Sequence, residues 1–419
     1  MPWPSLLPFT RQTVTIKILR PFPLRTVRTG ARRFSVSRSY SYGGQNSSEM
    51  IKDLEQRPSS VKKTPKRLRL AASVILVSPT NQVLLLKRVE TSSSFASAHV
   101  FPGGNLSTFH EGTLLGAVDE STKEFQDGTA YRLAAVRETF EESGILLARP
   151  LAADQSRSGS LNNQALLHLP DAAREEGRRE THDNKIKFIE WLESQGGAPD
   201  LDNLIPFTRW VTPGSMVKRF STQMYLYMLP LSANSSILGA PEHESVIQTP
   251  THDGGIEHTT ATFDRPDVWL AKAKAGNVLL YPPQFYLLHL LSQFLNDKSL
   301  APAGASAADV TAHLERQRSA LVTFLRQTPT TPPDRPSPLH VHPTAHIPWA
   351  EKVICPQPLV KARLGSRLLG LDDPGPELQE SGKGGDYDRV LLVNWKNKEP
   401  RDIEVKWRDE VLLEAKSSL

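Results

Sequence analysis

Apolar positions along the chain follow two periods, and each marks a different kind of element. Within residues 68–77 the positions Leu70, Ala72, Val74 and Leu76 alternate, which predicts a half-buried strand. The run Val83-Leu84-Leu85-Leu86, after the turn Pro79-Thr80-Asn81, predicts a second and more deeply buried one. Leu133, Val136 and Phe140 recur at i, i+3 and i+7, the spacing of a helix with one apolar stripe. Glu138, Glu141 and Glu142 stand at i, i+3 and i+4 on the opposite side, so the same helix should carry an acidic face. Asp127 is placed to cap its start and Gly144 to take the left-handed position past its end. Taken alone, such a face is more often solvated surface than a site.

Downstream, Ile186, Phe188, Ile189 and Trp191-Leu192 predict a helix closing at Gly196-Gly197, and residues 224–229 and 257–263 predict strands. Asp267, Trp269 and Leu270 open a helix, and residues 285–295 form an apolar one with Pro283 near its N-terminus. Residues 309–326 predict a helix packed through Val310, Leu314, Leu321 and Leu325, and residues 389–395 and 403–407 a pair of strands.

Charge changes this picture at one end only. Residues 1–48 hold Arg11, Lys17, Arg20, Arg25, Arg28, Arg32, Arg33 and Arg38 and no acid, so the net charge of +5 becomes −3 for the remainder. That body has no basic excess to suit nucleic acid. The Arg- and Ser-rich start has the composition of an organelle transit peptide, with residues 49–66 as a linker, and predicts a mitochondrial matrix location. Peroxisomal or cytoplasmic placement is the alternative; Ser417-Ser418-Leu419 only weakly echoes a peroxisomal address. No apolar run approaches the ~20 residues of a membrane span. The lone Cys355 excludes an intramolecular disulfide and reads as a packing residue. His340, His342 and His346 lie in or beside a proline-rich stretch, residues 328–345, that reads as an extended linker, and a solvated loop is the better account of them than a metal site.

Upstream of the acidic helix, Phe101-Pro102-Gly103-Gly104 stops a short strand and lets the backbone turn sharply toward a ligand. Gly104 together with Arg137-Glu138-x-x-Glu141-Glu142-x-Gly144-Ile145 resembles the Nudix box, G-x5-E-x7-R-E-U-x-E-E-x-G-U, with Thr139 in place of the first aliphatic residue. Gly104 and Arg137 are 33 positions apart where the box has 14, an excess of 19 residues, and the first glutamate of the box is unassigned between His110, at its position, and Glu111, one later. An elongated box, and the later Trp210-Val211-Thr212-Pro213 and Arg219-Phe220, resemble the Nudix branch similar to nucleoside diphosphate-linked moiety X motif 19, which includes coenzyme A diphosphatases.

The resemblance implies an α+β protein: a Nudix α/β/α sandwich with a mixed sheet over residues 67–297, insertions at about 108–128 and 151–204, and a C-terminal extension. That extension would comprise a helical part at 298–327, the linker, and residues 346–419 of unknown role. It also implies Mg2+ or Mn2+ as cofactor. Glu141 and Glu142 would be the principal ligands, the Gly104 carbonyl a further one, Glu138 the base or an assisting ligand, and Arg137 an orienter of a carboxylate. An outlying glutamate would be Glu257, with Glu242 and Glu244 behind it. Substrate contacts would fall to Arg88, Gly103, Gly104, Arg209 and Arg219, although the arginines suit a surface role equally. The implied partner is a small molecule derived from a nucleotide, hydrolysed at its pyrophosphate: coenzyme A or an acyl ester of it, with ADP-ribose, NADH or a nucleotide sugar as alternatives. Ser93 and Ser97 depart from the Arg and Gly that some coenzyme A-cleaving relatives carry there. A non-catalytic Nudix-fold part of the mitochondrial ribosome is the alternative of another class. The oligomeric state is not legible.

Overall fold

A computed structural model describes residues 67–92, 95–112, 125–151, 166–231, 257–296, 305–332, 342–360, 366–397 and 399–417. The transit-peptide expectation, the linker at 49–66, Glu242, Glu244, His340, and Ser418 and Leu419 of the C-terminal tripeptide lie outside these residues.

The central sheet grows from the alternating stretch that opens the described chain. Strand β1 (Arg69–Val77) pairs in parallel with β8 (Phe220–Met228) along its whole length. Beyond β8 come β7 (Ile205–Val211), antiparallel to it, and β10 (Val353–Ile354), parallel to β7. On the other side stand β2 (Val83–Arg88), β3 (His99–Val100) and β9 (His258–Asp264), all antiparallel to their neighbours. The short β4 (Gly103–Asn105) lies against β1. The sheet is therefore mixed, as expected, and both of its faces are covered.

Alternation along β1 sorts its side chains between two cores. Ala72, Val74 and Leu76 face helix α1 (Thr129–Ser143), whose Leu133, Val136 and Phe140 pack on them. Ile75 and Val77 face the other layer, built from α4 (Pro266–Lys274), α5 (Pro282–Leu291) and α6 (Ala307–Arg326). α5 begins at its prolines, earlier than the apolar run alone predicts, because Pro at the first helical turn loses no hydrogen bond there.

Residues 148–151 and 166–199 form a lobe beside α1: β5 (Ala148–Pro150), α2 (Asp171–His182), α3 (Phe188–Ser194) and β6 (Gly197–Pro199). α3 is the helix expected there; α2 was not expected. Its sequence is almost wholly polar, so it has no apolar stripe to betray it. Its buried face consists of Arg174, Gly177, Arg178 and Thr181. Gly177 is there because a Cβ would overlap the indole of Trp191, which in turn stacks on Phe140 at 4.8 Å.

The C-terminal residues are woven into the same body. Trp349, fully buried, packs on Phe207 and Phe324. A second sheet, β11 (Gln357–Val360), β12 (Ser366–Leu371), β13 (Asp386–Lys396) and β14 (Glu399–Trp407), contains the expected strand pair and is followed by α7 (Arg408–Ser417). Leu371, Leu391 and Val393 of this sheet join the same core as Ile75 and Leu287. The proline-rich stretch departs from an extended linker at both of its described ends. Thr330 donates to the Ala345 carbonyl, Thr331 to Asp388, and His342 stacks on Tyr387 at 4.0 Å. Cys355 is buried, as expected of a packing residue.

Candidate functional site

The acidic helix keeps its expected limits but neither its expected cap nor a solvated face. Gly144 takes the left-handed C-cap at φ 72°, whereas the N-cap is Gly128 with no side-chain bond. Asp127 is instead spent on Arg132 and on the Tyr225 hydroxyl, which fixes the first turn of the helix laterally to β8. Arg137, Glu141 and Glu142 are buried, because β4 covers one flank and α2 the other. Thr139, where the box has an aliphatic residue, is fully buried with its hydroxyl donating to the Ala135 carbonyl, so the substitution strands no polar group.

Arg137 is the hub. Its guanidinium meets Glu111 at 2.8 Å, Glu138 at 2.9 Å and Glu141 at 3.0 Å, and donates to the Asn105 carbonyl at 3.1 Å. Burial works against its charge, but the three carboxylates outweigh this and hold it above its usual range. Glu111 thereby answers the question that the 19 extra residues raised. Of the two positions competing for the first glutamate of the box, Glu111 is the one in contact with the motif, and its carboxylate also accepts from the Ser107 amide. His110 faces away and accepts from the Phe188 amide.

Glu142 turns toward the glycine loop. Its Oε2 accepts from the Gly103 amide at 2.7 Å, and its Oε1 stands 3.7 Å from Nε2 of the fully buried His258. Across from it, half-exposed Glu257 meets Arg88 at 3.4 Å, and Arg88 is steadied by the Ser92 hydroxyl. Burial first, with Glu141 and Glu111 nearby, pushes Glu138 up to about 7 against the pull of Arg137. Burial likewise raises Glu141, and with Glu138 beside it raises Glu142 well above the carboxylate range. The Glu141 carboxylate has one oxygen on Arg137 while the other, Oε1, is buried with no hydrogen-bond partner among the described residues.

These observations test whether a divalent cation suits the site. Several buried carboxylates are held near one another although their charges resist burial, and an oxygen is left without a donor, both of which a hard cation with oxygen ligands would relieve. Among the described residues, the donor atoms that lie within 4.8 Å of one another belong to Glu142, Glu257 and His258. Glu142 and Glu257 are thus well placed to hold an ion, whereas Glu138 and Glu141 are turned onto Arg137. The site brings together Arg88, Gly103, Gly104, Arg137, Glu138, Glu141, Glu142 and Glu257.

Arg209 and Arg219 are not gathered there, which corrects their assignment as substrate contacts. Arg209, buried, lies over the Tyr131 ring and bonds Ser221 and the Gln126 carbonyl. Arg219, also buried, forks onto Glu377 of the C-terminal region and reaches the Thr212 carbonyl. Their sequence signal, Arg beside strand-forming residues, is common to internal struts and anion contacts. Sequence reasoning also missed Arg178, which donates twice to the Glu141 carbonyl at the negatively polarised end of α1. No spacing rule singles it out, since α2 itself was not legible.

The two glycines do different work, and replacing each by alanine separates them. A Cβ on Gly104 would meet the Glu138 carboxylate first, the far end of a side chain that can turn aside. Gly104→Ala is therefore expected to swing Glu138 out of place and lose activity with a small change in melting temperature. A Cβ on Gly103 would meet the Ala72 carbonyl and the Ser73 backbone, which cannot yield. Gly103→Ala is expected to cost about 1–3 kcal/mol of stability or more. Paired melting curves and activity assays of the two variants check this contrast.

Comparison with known proteins agrees with this geometry. The profile of the NUDT19 Nudix domain matches residues 115–291, which include the whole of α1 and the core strands after it. The matched stretch is similar to a Nudix domain of the NUDT19 type. The chain is 30% identical over 254 residues to a Gallus gallus protein named acyl-coenzyme A diphosphatase NUDT19, covering 52% of this chain and 63% of that one. It is 24% identical over 288 residues to the Homo sapiens protein of the same name, covering 56% and 72%. For the Gallus gallus and Xenopus laevis relatives the match spans only 63% and 60% of their length. Among solved structures, a Nudix hydrolase from Alicyclobacillus acidocaldarius aligns at 21% identity over 55% of this chain and 93% of that chain, with a TM-score of 0.40.

Proposed function

We propose that this Nudix domain hydrolyses the pyrophosphate bond of a nucleotide-linked substrate of the coenzyme A class, with Mg2+ or Mn2+ as cofactor. The observation that carries the reading is the closure of the Gly103-Gly104 loop onto Glu142 and Glu138 beside the half-exposed Glu257–Arg88 pair. Such a place offers anionic oxygens for a cation and a guanidinium for a phosphate at one open edge. The choice of coenzyme A is supported by the name shared by the chicken, frog and human relatives.

Glu142 and Glu257 would hold the cation, with the Glu141 Oε1 and the Gly104 carbonyl as further oxygen donors. When bound, it would neutralise the pyrophosphate and make a water more acidic. Glu138, raised to about 7 and therefore part protonated at neutral pH, suits a base that takes a proton from the attacking water. The water oxygen bonds to one phosphorus, the bridging P–O bond breaks, and the leaving phosphate carries the electron pair away. Arg137, locked by Glu111, holds Glu138 and Glu141 in place; Arg88 can exchange its contact with Glu257 for a substrate phosphate.

The test incubates the full chain with Mg2+ or Mn2+ and coenzyme A, an acyl-coenzyme A, ADP-ribose or NADH, and identifies products by mass. A 4′-phosphopantetheine or acyl-phosphopantetheine product together with adenosine 3′,5′-bisphosphate is expected. Glu141→Gln should lower turnover by roughly 10²-fold or more, in line with loss of a group that acts on the reacting centre. Intact turnover in that variant would overturn the site assignment, and cleavage of ADP-ribose or NADH alone would overturn the substrate class.

A further inference from the structure

The strand that delivers Glu257 to the site carries an irregularity with a chemical consequence. β9 runs antiparallel to β2, with Lys87 opposite Thr260 but Arg88 opposite His258, so Thr259 is an extra residue in the ladder. Phe263 and Ala261 pack on the same side of the sheet as α1. Regular alternation would bring Thr259 to that side and turn His258 away. The bulge reverses the order: His258 is fully buried and Thr259 is exposed, its hydroxyl reaching back to the Lys87 carbonyl at 3.3 Å. A bulge that re-aims one side chain is a device found beside sites of chemistry.

The imidazole is aimed at the carboxylates. Its Nε2 lies 3.7 Å from Glu142 Oε1, too far for a hydrogen bond. Gly103 already fixes the other Glu142 oxygen, so Oε1 is the one left facing the ring. Donor atoms of Glu142, Glu257 and His258 all lie within 4.8 Å of one another. Ligands about 2.1 Å from one ion stand about 4.2 Å apart when opposite and about 3.0 Å apart when adjacent, so the trio shares one ion after drawing in by at most about 0.6 Å for an opposite pair and about 1.8 Å for an adjacent one.

We propose that His258 is itself a ligand of the divalent cation, completing a set of two carboxylates and one imidazole that favours Mn2+ over Mg2+. The inference rests on the reading above that the site holds such a cation. Mg2+ keeps to oxygen ligands and near-ideal octahedral geometry, whereas a borderline nitrogen donor is better accepted by a transition metal.

The test uses the full chain and Mn2+. Pulsed electron paramagnetic resonance of the bound ion should show coupling to a directly bound nitrogen, and labelling the protein with 15N-histidine should shift that signal. His258→Gln should abolish it, weaken Mn2+ binding about 10-fold or more and leave Mg2+ binding within about 3-fold, since the amide oxygen remains acceptable to Mg2+. The labelled wild type needs no variant to fold. Bound Mn2+ without nitrogen coupling would overturn the role of His258 while leaving the proposed hydrolase intact. Failure to bind Mn2+ or Mg2+ at all would overturn both, and an equal loss of both ions in His258→Gln would overturn the selectivity.

Discussion

Glu138→Gln is expected to lower kcat for the proposed coenzyme A hydrolysis by roughly 10²–10⁴-fold, the usual contribution of a positioned acid–base group, and at the same time to raise the melting temperature at pH 8. Both results come from one cause. Burial, reinforced by Glu141 and Glu111, lifts the folded Glu138 to about 7, above its ordinary value near 4.5. A carboxyl raised in the folded state contributes stability that is fully present below about 4.5 and is lost as pH rises through about 7. At pH 8 the ionised group is thus a net burden, and the neutral amide, which can still accept from Arg137 Nη1, removes it. At pH 5 the folded wild type already carries the proton, so the difference in melting temperature should largely vanish. Thermal unfolding of both proteins without added metal, at pH 5 and pH 8, checks the sign. A variant less stable at pH 8 would show that the Glu138 charge supports the fold and is not held there against it.

That trade-off explains why the helix was legible as a site while its surroundings were not. The spacing of Glu138, Glu141 and Glu142 against Leu133, Val136 and Phe140 is local, and helical geometry alone converts it into an apolar and an acidic side. The first strands and the Phe101-Pro102-Gly103-Gly104 turn are legible for the same reason. What closes the acidic side is not local. Glu111 reaches Arg137 across 26 residues, His258 reaches Glu142 only because of a bulge, and Arg178 caps the helix from an element whose buried face is made of arginines and a glycine. A buried Arg or a bulge leaves no periodic trace, since its partner sits at a distance in sequence that no pattern fixes. Arg209 and Arg219 run in the opposite direction. Their charge suits a phosphate, but the fold spends it on a Tyr face and on Glu377.

Glu377 leads to the second large effect, which concerns residues the sequence left without a role. A chain ending at residue 332 is expected to lose cooperative unfolding altogether. Trp349, Ile354, Leu371, Leu391 and Val393 are all fully buried in the core that also holds Ile75, Phe207 and Leu287. At about 1.5–3 kcal/mol for each such side chain, their removal amounts to roughly the entire 5–15 kcal/mol by which a folded protein is stable. The truncation also strips β10 from the central sheet and leaves the Arg219 guanidinium, whose side chain is wholly buried, without Glu377. An uncompensated buried charge is among the costliest defects a core can carry. Trp349→Ala isolates one part of this: it should cost about 3–5 kcal/mol as measured by chemical denaturation. Activity at a temperature where the variant remains folded should be little changed, since Trp349 packs on Phe207 and Phe324 in the core on the opposite side of the sheet from α1. If the truncated chain instead melted sharply near the full-length temperature, residues 346–419 would be a separable extension and the shared core would not be what stabilises the domain. The two measurements together divide the molecule by function: α1 and the loops around it for chemistry, and the C-terminal sheet for holding the opposite face of the central sheet that positions them.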